Sequence, residues 1–455
     1  MKADPDPSSG CWPETSRNAP MADTTEFKTE AITKANRAAL EQSLLAVLGR
    51  EHLGATEVVT LDRVQEALLI KPGSAEEVAR CLAVCREQKA AVVPSGLGSW
   101  LDCGNPVRRA DAVVSLERLN RVIEYSPSDL TITVEAGLTL DELNRVAQDE
   151  RQWLPLDPAG GRNATLGAVA ACASSGPLRF GFGTPRDYVL GLRLAHADGT
   201  ESRSGGRVVK NVAGYDMNKL YVGSYGTLAV LTELTVKLRP APETMRTVCI
   251  AGDDLRSLLA LAERVIASEL QPASVFVTSN LTGRPAGAAR SALLVRFAGD
   301  WAAVDYQVDY LVQSLDPRAE PLTAADAESA WAELTDLDGE AETSIRLSVP
   351  LSSISIVVER VRAAERGRIV ADAGAGIIRI SSLEKDPATV ELIGSLRKFV
   401  ESIGGSLFVE RAAPEVKLRT DAWGSVGAAA RIMRDIKRSF DPDGLLNQGR
   451  FAAGI

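Results

Sequence analysis

The chain has 455 residues, 45% of them hydrophobic. That is enough for at least two cores, because single cores stop growing beyond roughly 250–300 residues. Its net charge of −9 argues against a nucleic-acid partner, which needs a basic stripe. Six cysteines with no Cys-x-x-Cys pair give neither a disulfide framework nor a zinc site, and they fit a cytoplasmic protein.

Residues 1–30 are polar, rich in Pro and Ser, and lack an apolar stretch, so they read as a disordered tail rather than a signal peptide or anchor. Met1 and Met21 both stand as possible starts. No apolar run reaches the roughly 20 residues of a membrane span, which argues against direct membrane insertion. Residues 31–55 form an N-terminal helical segment, with Leu40, Leu44, Leu45 and Leu48 at helical spacing.

The first domain is expected over 56–242. It opens with the apolar "ALLIKP". A helix follows, with Ser74 and Glu77 as a capping box and Val78, Leu82 and Cys85 on its apolar face. The strand "AAVVP" then leads into the glycine loop "PSGLGSW". Strand, helix, strand and loop read as a βαβ unit whose second strand delivers the loop at its carboxyl end, where ligands of parallel sheets collect. Alternating strands follow, with a second capping box at Thr139 and Glu142. A hairpin turns at Asp198-Gly199, and a long strand closes the domain before the proline-rich "RPAPE". A second, smaller α+β domain is expected over 243–435, and residues 436–455 form a closing segment with an Asp-Pro-Asp-Gly turn. The fold class is α+β. Cys81 and Cys85 sit on one helical face and read as core, since no second pair or histidine completes a metal site.

The loop "PSGLGSW" lacks the Lys-Ser/Thr of a Walker loop, and Leu101 stands where a dinucleotide fingerprint needs a small residue. What remains is a strand-end nest in which Gly96 and Gly98 let backbone N–H groups converge on an anion, or an ordinary tight turn. The tracts "DPAGGRNATLGAVAACASSGP", "GFGTPRDYVLG" and "VGSYGTLAV" lie in the same domain. Each is built so that backbone can lie against something flat or extended, and together they suggest one large cofactor threaded along the domain.

These segments, with "KNVAGYDMNKLYVGSYGTLAVLTELTVKLRP" and the terminal "FDPDGLLNQGR", resemble flavoproteins of the vanillyl-alcohol oxidase type with a PCMH FAD-binding domain. Within that family the segments resemble in particular the FAD-binding subunits of bacterial glycolate oxidases. The resemblance implies a two-subdomain FAD-binding domain, a cap domain and a tail that returns to the FAD domain. It implies that Pro94, Ser95, Gly96, Leu97, Gly98 and Ser99 hold the pyrophosphate of FAD. Pro158, Ala159, Thr165, Leu166, Gly167, Ala171, Ser174, Ser175 and Gly176 would run beside the ribityl chain and flavin ring. Gly223, Gly226, Thr227 and Val230 would lie near the adenine end, and Asn447 and Arg450 near the flavin. Two departures from the family pattern are mild: Gly167-Ala168 replaces Gly-Gly, and Asn447-Gln448-Gly449 replaces Asn-Pro-Gly. The first loop has no histidine for covalent attachment, so FAD is expected to be held non-covalently, and Cys172 reads as core.

Oxidising a 2-hydroxy acid on a flavin needs a base for the hydroxyl proton and cations for the carboxylate. The chain has two histidines, His52 and His196, and none after residue 244. Arg179, Arg186, Arg411 and Arg450 are candidate carboxylate clamps, and Lys210 and Tyr215 candidate acids or bases. No catalytic residue is assigned. The resemblance implies partners that complete the chemistry: a sister flavoprotein carrying substrate-site histidines, and an iron–sulfur subunit that takes the electrons. A self-sufficient FAD-linked oxidoreductase acting on another hydroxy acid or sugar alcohol is the competing expectation, and a flavin-holding scaffold without activity of its own is a third.

Overall fold

The computed structural model describes residues 34–49, 52–61, 64–159, 161, 163–206, 215–279, 291–335, 343–364, 366–381, 383–384 and 386–455. The N-terminal tail, Lys210 and most of the "KNVAGYD" motif lie outside them.

The expected α+β architecture is present, built on two groups of sheets. In the first group, β1 (Leu53–Leu61), β2 (Val64–Ile70), β3 (Val92–Ser95) and β4 (Ala112–Ser115) form a sheet of order β1-β2-β4-β3, in which β2, β4 and β3 run parallel. The crossover through α2 (Ala75–Glu87) therefore skips a position, and β4 inserts between the two strands that it joins. Helix α1 (Lys34–Leu48) is not a separate unit, since Leu40, Leu44 and Leu48 belong to the core of this domain. Ser74 caps α2 by accepting from the Glu77 N–H, but the Glu77 carboxylate accepts from the Gly73 N–H at 2.7 Å, so the box closes one residue early.

A second, antiparallel sheet combines β5 (Val122–Ser126), β6 (Thr131–Glu135), β8 (Val189–Ala195), β9 (Glu201–Gly205) and β10 (Val230–Lys237) in the order β5-β6-β10-β8-β9. The short β7 (Gln152–Trp153) pairs with β11 (Arg239–Pro240) where the chain leaves the domain. Helix α3 (Leu140–Gln148) carries the complete Thr139–Glu142 capping box, and α4 (Leu166–Cys172) packs against β10.

The second domain was expected to be the smaller, yet it carries the largest sheet. Its eight antiparallel strands are β12 (Thr244–Gly252), β13 (Ser274–Ser279), β14 (Ser291–Gly299), β15 (Glu320–Pro321), β16 (Thr343–Ser348), β17 (Arg368–Asp372), β18 (Ile377–Ser381) and β19 (Ser406–Ala412), in the order β15-β12-β14-β13-β17-β18-β16-β19. The helices Leu255–Ile266, Ile354–Arg362 and Pro387–Ser402 cover one face and bury Leu258, Val265, Val357, Val361, Ile393 and Val400.

The chain then returns. The helix Ala429–Phe440 crosses the boundary expected at 436 and lays Ile436 and Phe440 on the core of the first domain. Beyond it the tail adds an edge to β3, where the Val92 N–H donates to the Leu445 carbonyl at 2.8 Å and the Asn447 N–H to the Val92 carbonyl at 2.9 Å. Lys437 fixes this return. Its ammonium is buried and donates to the carboxylate of Asp441 at 2.6 Å and to the carbonyls of Thr227 and Leu446 at 2.7 and 2.9 Å. Removing one partner of a buried pair leaves an uncompensated charge, at a cost of about 3–5 kcal/mol. Lys437→Met should therefore lower stability by at least about 3 kcal/mol. Urea unfolding checks this, and a loss below 1 kcal/mol would show that the tail is held by its backbone bonds instead.

Candidate FAD site

The glycine loop lies where β3 ends. Gly98 takes a φ of +92°, which L side chains rarely adopt, and its carbonyl accepts from the Leu101 N–H at 3.3 Å. At Gly96 the constraint is space, because a Cβ there would stand 2.1 Å from Oγ1 of Thr165. Thr165 is the residue before α4, so the first loop and the first alanine-rich tract are in contact. Among the described residues, none of the backbone N–H groups of Gly96, Leu97, Gly98 and Ser99 donates to a protein acceptor. Half-buried N–H groups are normally paired, so those of Gly96, Gly98 and Ser99 at a strand end form a concavity suited to an anion.

A cleft enclosing about 700 Å³ of atom-free space, open on one side, runs from this loop. It is lined by Pro94, Ser95, Gly96, Gly98, Ser99, Thr165, Gly167, Ala171, Gly226, Val230, Asn447 and Arg450, all predicted from the sequence. Trp100, Cys103, Cys172 and Tyr225 are among the other residues of its wall. Two buried polar atoms on it, Thr165 Oγ1 and Asn447 Oδ1, have no hydrogen-bond partner among the described residues. Close approach is built in on the far side as well. A Cβ on Gly167 would meet the Ala136 Cβ at 2.8 Å, and one on Gly226, at φ +64°, would meet Asn447 and Pro94 at 3.2 and 3.3 Å. Unpaired N–H groups at one end, orphaned acceptors along the wall and small residues throughout are what an extended dinucleotide requires, and the residues present fit FAD.

Other sequence-predicted residues line neither this cleft nor its neighbour. Leu97 is 54% exposed. Leu166 is core, and its N–H and that of Gly167 are already bonded to the carbonyls of Leu138 and Ala136. Pro158, Ser175 and Gly176 are buried, with Gly176 so tight against the Asp157 carbonyl that no side chain fits. The Gly223 N–H bonds the Ala170 carbonyl, and buried Thr227 turns its hydroxyl to the Ser224 carbonyl. These positions support the wall rather than face the space.

A second cavity of about 660 Å³ of atom-free space adjoins the first where the two domains meet, and the two share Ser99, Trp100, Cys103, Cys172 and Tyr225. Ala159 and Ser174 of the predicted set line it. From the second domain come Arg346 on β16, Arg379 on β18, and Phe408, Glu410 and Arg411 on β19. Sheet register places Arg346 opposite both Arg379 and Phe408. Glu410 is committed to these cations, accepting from Arg379 Nε at 3.0 Å and lying 3.4 Å from Arg346 Nε. Burial raises the pKa of Glu410, but the Arg379 and Arg346 guanidiniums outweigh burial and hold it below the usual carboxylate range. Arg411 pairs with Asp102 at 2.8 Å.

Tyr225 is the hinge between the cavities. Its φ of +53° is unusual for a tyrosine, and Asn447 Nδ2 holds its carbonyl at 2.6 Å. Its ring packs on Trp423 at 4.7 Å and Phe451 at 5.4 Å. Burial pushes its phenol well above its ordinary pKa. Of the other candidates, Arg179 lies half-buried outside both cavities, Arg186 is exposed, and Tyr215 is 95% exposed. Arg450 donates to the carbonyls of Cys103 and Asn105, which fixes it on the cleft wall. His196 bonds Ser202 at 2.7 Å and stacks on Phe440, and neither it nor His52 lines a cavity. Arg411, named from the sequence as a candidate carboxylate clamp, lines the second cavity, whereas Arg346, Arg379 and Glu410 carry no local motif and were missed. Tyr225 lay inside the quoted "VGSYGTLAV", where its glycine neighbours were the available signal.

Comparison with known proteins accords with this geometry. Residues 67–205 match the family described as FAD binding domain. The glycolate oxidase subunit GlcD of Bacillus subtilis is 26% identical over 85% of this chain and 88% of its own. The glycolate oxidase subunit GlcE of Escherichia coli is 40% identical over 34% of this chain and 44% of its own. Among solved structures, p-cresol methylhydroxylase with substrate bound superposes with a TM-score of 0.71 at 16% identity, over 93% of this chain and 98% of that one.

Gly98→Val should lower FAD occupancy by about tenfold or more, because the left-handed backbone costs a β-branched residue of order 1–3 kcal/mol. Gly96→Val should do the same through overlap with Thr165. Flavin absorbance per folded protein checks both, and full occupancy in Gly98→Val would make the loop a plain turn. Burial raises the pKa of the Cys172 thiol far above neutrality, which leaves it a poor nucleophile. Acid precipitation should therefore release intact FAD to the supernatant, whereas flavin retained in the pellet would identify a covalent link.

Proposed function

Taking as premise that the chain belongs to the FAD-dependent oxidoreductases of PCMH-type fold, we propose that it is the FAD-binding subunit of a glycolate-oxidase-type complex. In this reading Gly96 to Ser99 hold the pyrophosphate, Thr165 and Asn447 supply polar contacts along the cleft, and the flavin ring points toward Tyr225 and the second cavity. Bound FAD supplies the two-electron acceptor for a hydroxy acid. The division into an FAD domain over 56–242, a cap over 243–435 and a returning segment from 436 is part of the same reading.

The observation that carries it is the character of the second cavity. Three guanidiniums face the space beside the flavin position, which suits an anionic carboxylate. A strong base is missing from the same walls: no histidine lines either cavity, Glu410 and Asp102 are engaged with arginines, and the Tyr225 phenol is neutral. The hydroxyl proton is therefore taken by a partner, a sister flavoprotein carrying substrate-site histidines, and an iron–sulfur subunit receives the electrons. The resemblance to both GlcD and GlcE supports a multi-subunit assembly. Among the described residues, no helix is long and apolar enough to cross a membrane, and the cysteines are free. Both fit a cytoplasmic protein attached to a membrane, if at all, through its partners. The competing reading is a self-sufficient oxidoreductase for another hydroxy acid or a sugar alcohol, favoured only by the arginines.

Anaerobic mixing of the isolated, FAD-loaded chain with glycolate and with D-lactate separates the two. Little or no bleaching of the flavin is expected, with turnover appearing only when the partner subunits are added, and His196→Ala should change neither. Rapid bleaching of the chain alone would establish the self-sufficient enzyme.

A further inference from the structure

The chain carries a surplus of acidic residues, yet one groove inverts that balance. About 1000 Å³ of open, atom-free space is lined by Arg108, Arg434, Lys437, Arg438, Gln448 and Gly449 among others, and no Asp or Glu side chain is among its lining residues. Lys437 is spent internally on Asp441, so the outward charge is that of Arg108, Arg434 and Arg438, all exposed. The helix Ala429–Phe440 turns Met433, Ile436, Lys437 and Phe440 inward and presents Arg431, Ile432, Arg434 and Arg438 outward. Asp435 is the acidic group on that outer face, shared between Arg431 and Arg438. Ile432, at 64% exposure, adds an apolar contact to the same face.

The position of the groove gives it meaning. Its wall is the returning tail, which contributes residues to both sides. Asn447 and Arg450 line the FAD cleft, while Gln448 and Gly449, between them, line the groove. One segment of backbone therefore separates the basic surface from the cofactor space. A small soluble anion would gain nothing from that proximity, whereas a redox protein would.

We propose that this groove is the docking surface for an acidic protein that carries electrons one at a time. Its acidic face is steered onto Arg108, Arg434 and Arg438, with Ile432 as the apolar contact, and its redox centre is set against the tail wall. The inference rests on the reading that the cleft holds FAD. In overall balance, one hydroxy acid loses two electrons and two protons to become the oxo acid, two ferric centres take one electron each, and the protons pass to solvent.

The test uses the full FAD-loaded chain, its flavin photoreduced beforehand under anaerobic conditions, and rubredoxin, a small acidic one-iron protein, as the probe. Surface plasmon resonance should show rubredoxin binding at low salt that weakens as ionic strength rises. Charge reversal by Arg434→Glu with Arg438→Glu should weaken binding and slow rubredoxin reduction by about tenfold. The control pair Arg145→Glu with Arg256→Glu, equal in net charge, should change neither. Reduction of a small neutral dye should be the same in all three proteins, which shows that the flavin is intact. Equal rubredoxin binding by the wild type and the groove variant overturns the docking surface, as does an equal loss in the control pair, which would reduce the effect to net charge. The binding readout does not depend on flavin. A chain that binds rubredoxin through the groove yet holds no FAD would refute the cofactor reading and leave the surface standing.

Discussion

The cofactor cleft depends on one edge-strand pairing. β3 ends its sheet with unpaired backbone groups, and an open edge of this kind both invites foreign strands and leaves the loop beyond it unsupported. The tail from Leu445 to Asn447 satisfies that edge through Val92, two positions before the glycine loop begins. Lys437 and Asp441 hold the tail in register from behind, and Lys437 reaches the Thr227 carbonyl beside the strained Tyr225–Gly226 turn. The loop, the turn and the tail meet at Asn447, whose side chain fixes the Tyr225 backbone while its second polar atom remains available to a ligand.

From this junction the chemistry divides. The first domain offers backbone and small residues, which suit a long cofactor and contribute little reactivity of their own. The eight-stranded sheet offers charge, but charge already balanced: Arg379 and Arg346 flank Glu410, and Arg411 holds Asp102. A carboxylate held ionised by two guanidiniums is a weak base and a good positioning group. The arrangement therefore favours holding and orienting an anion over removing a proton from it.

The sequence revealed those parts of the site whose constraints are local. Gly96 and Gly98 stood out because a strand-end loop needs residues without a Cβ, and the Thr139–Glu142 box because capping spans a single turn. Asn447 and Arg450 were legible only through resemblance, since nothing local says that the tail returns. The second cavity was legible only in part: Ala159, Ser174 and Arg411 were named, but not that they meet in one space. Arg346, Arg379 and Glu410 lie on three strands brought side by side by register in an eight-stranded sheet, and register depends on long-range pairing. Leu166, Gly176, Gly223 and Thr227 show the converse. Small or apolar residues in a cofactor tract can serve the wall from behind, and the pattern alone does not say which side they face.

That the sheet edge is closed by a segment lying beyond the second domain in the chain has a consequence for folding. Domains fold roughly in order of synthesis, and both sheets of the first domain and the whole cap emerge before residue 445. Until the tail has left the ribosome, β3 has an exposed edge and the cleft has an open wall. The cleft is thus complete only after residue 447 has emerged, and until then another strand, or a chaperone, can occupy the place of the tail.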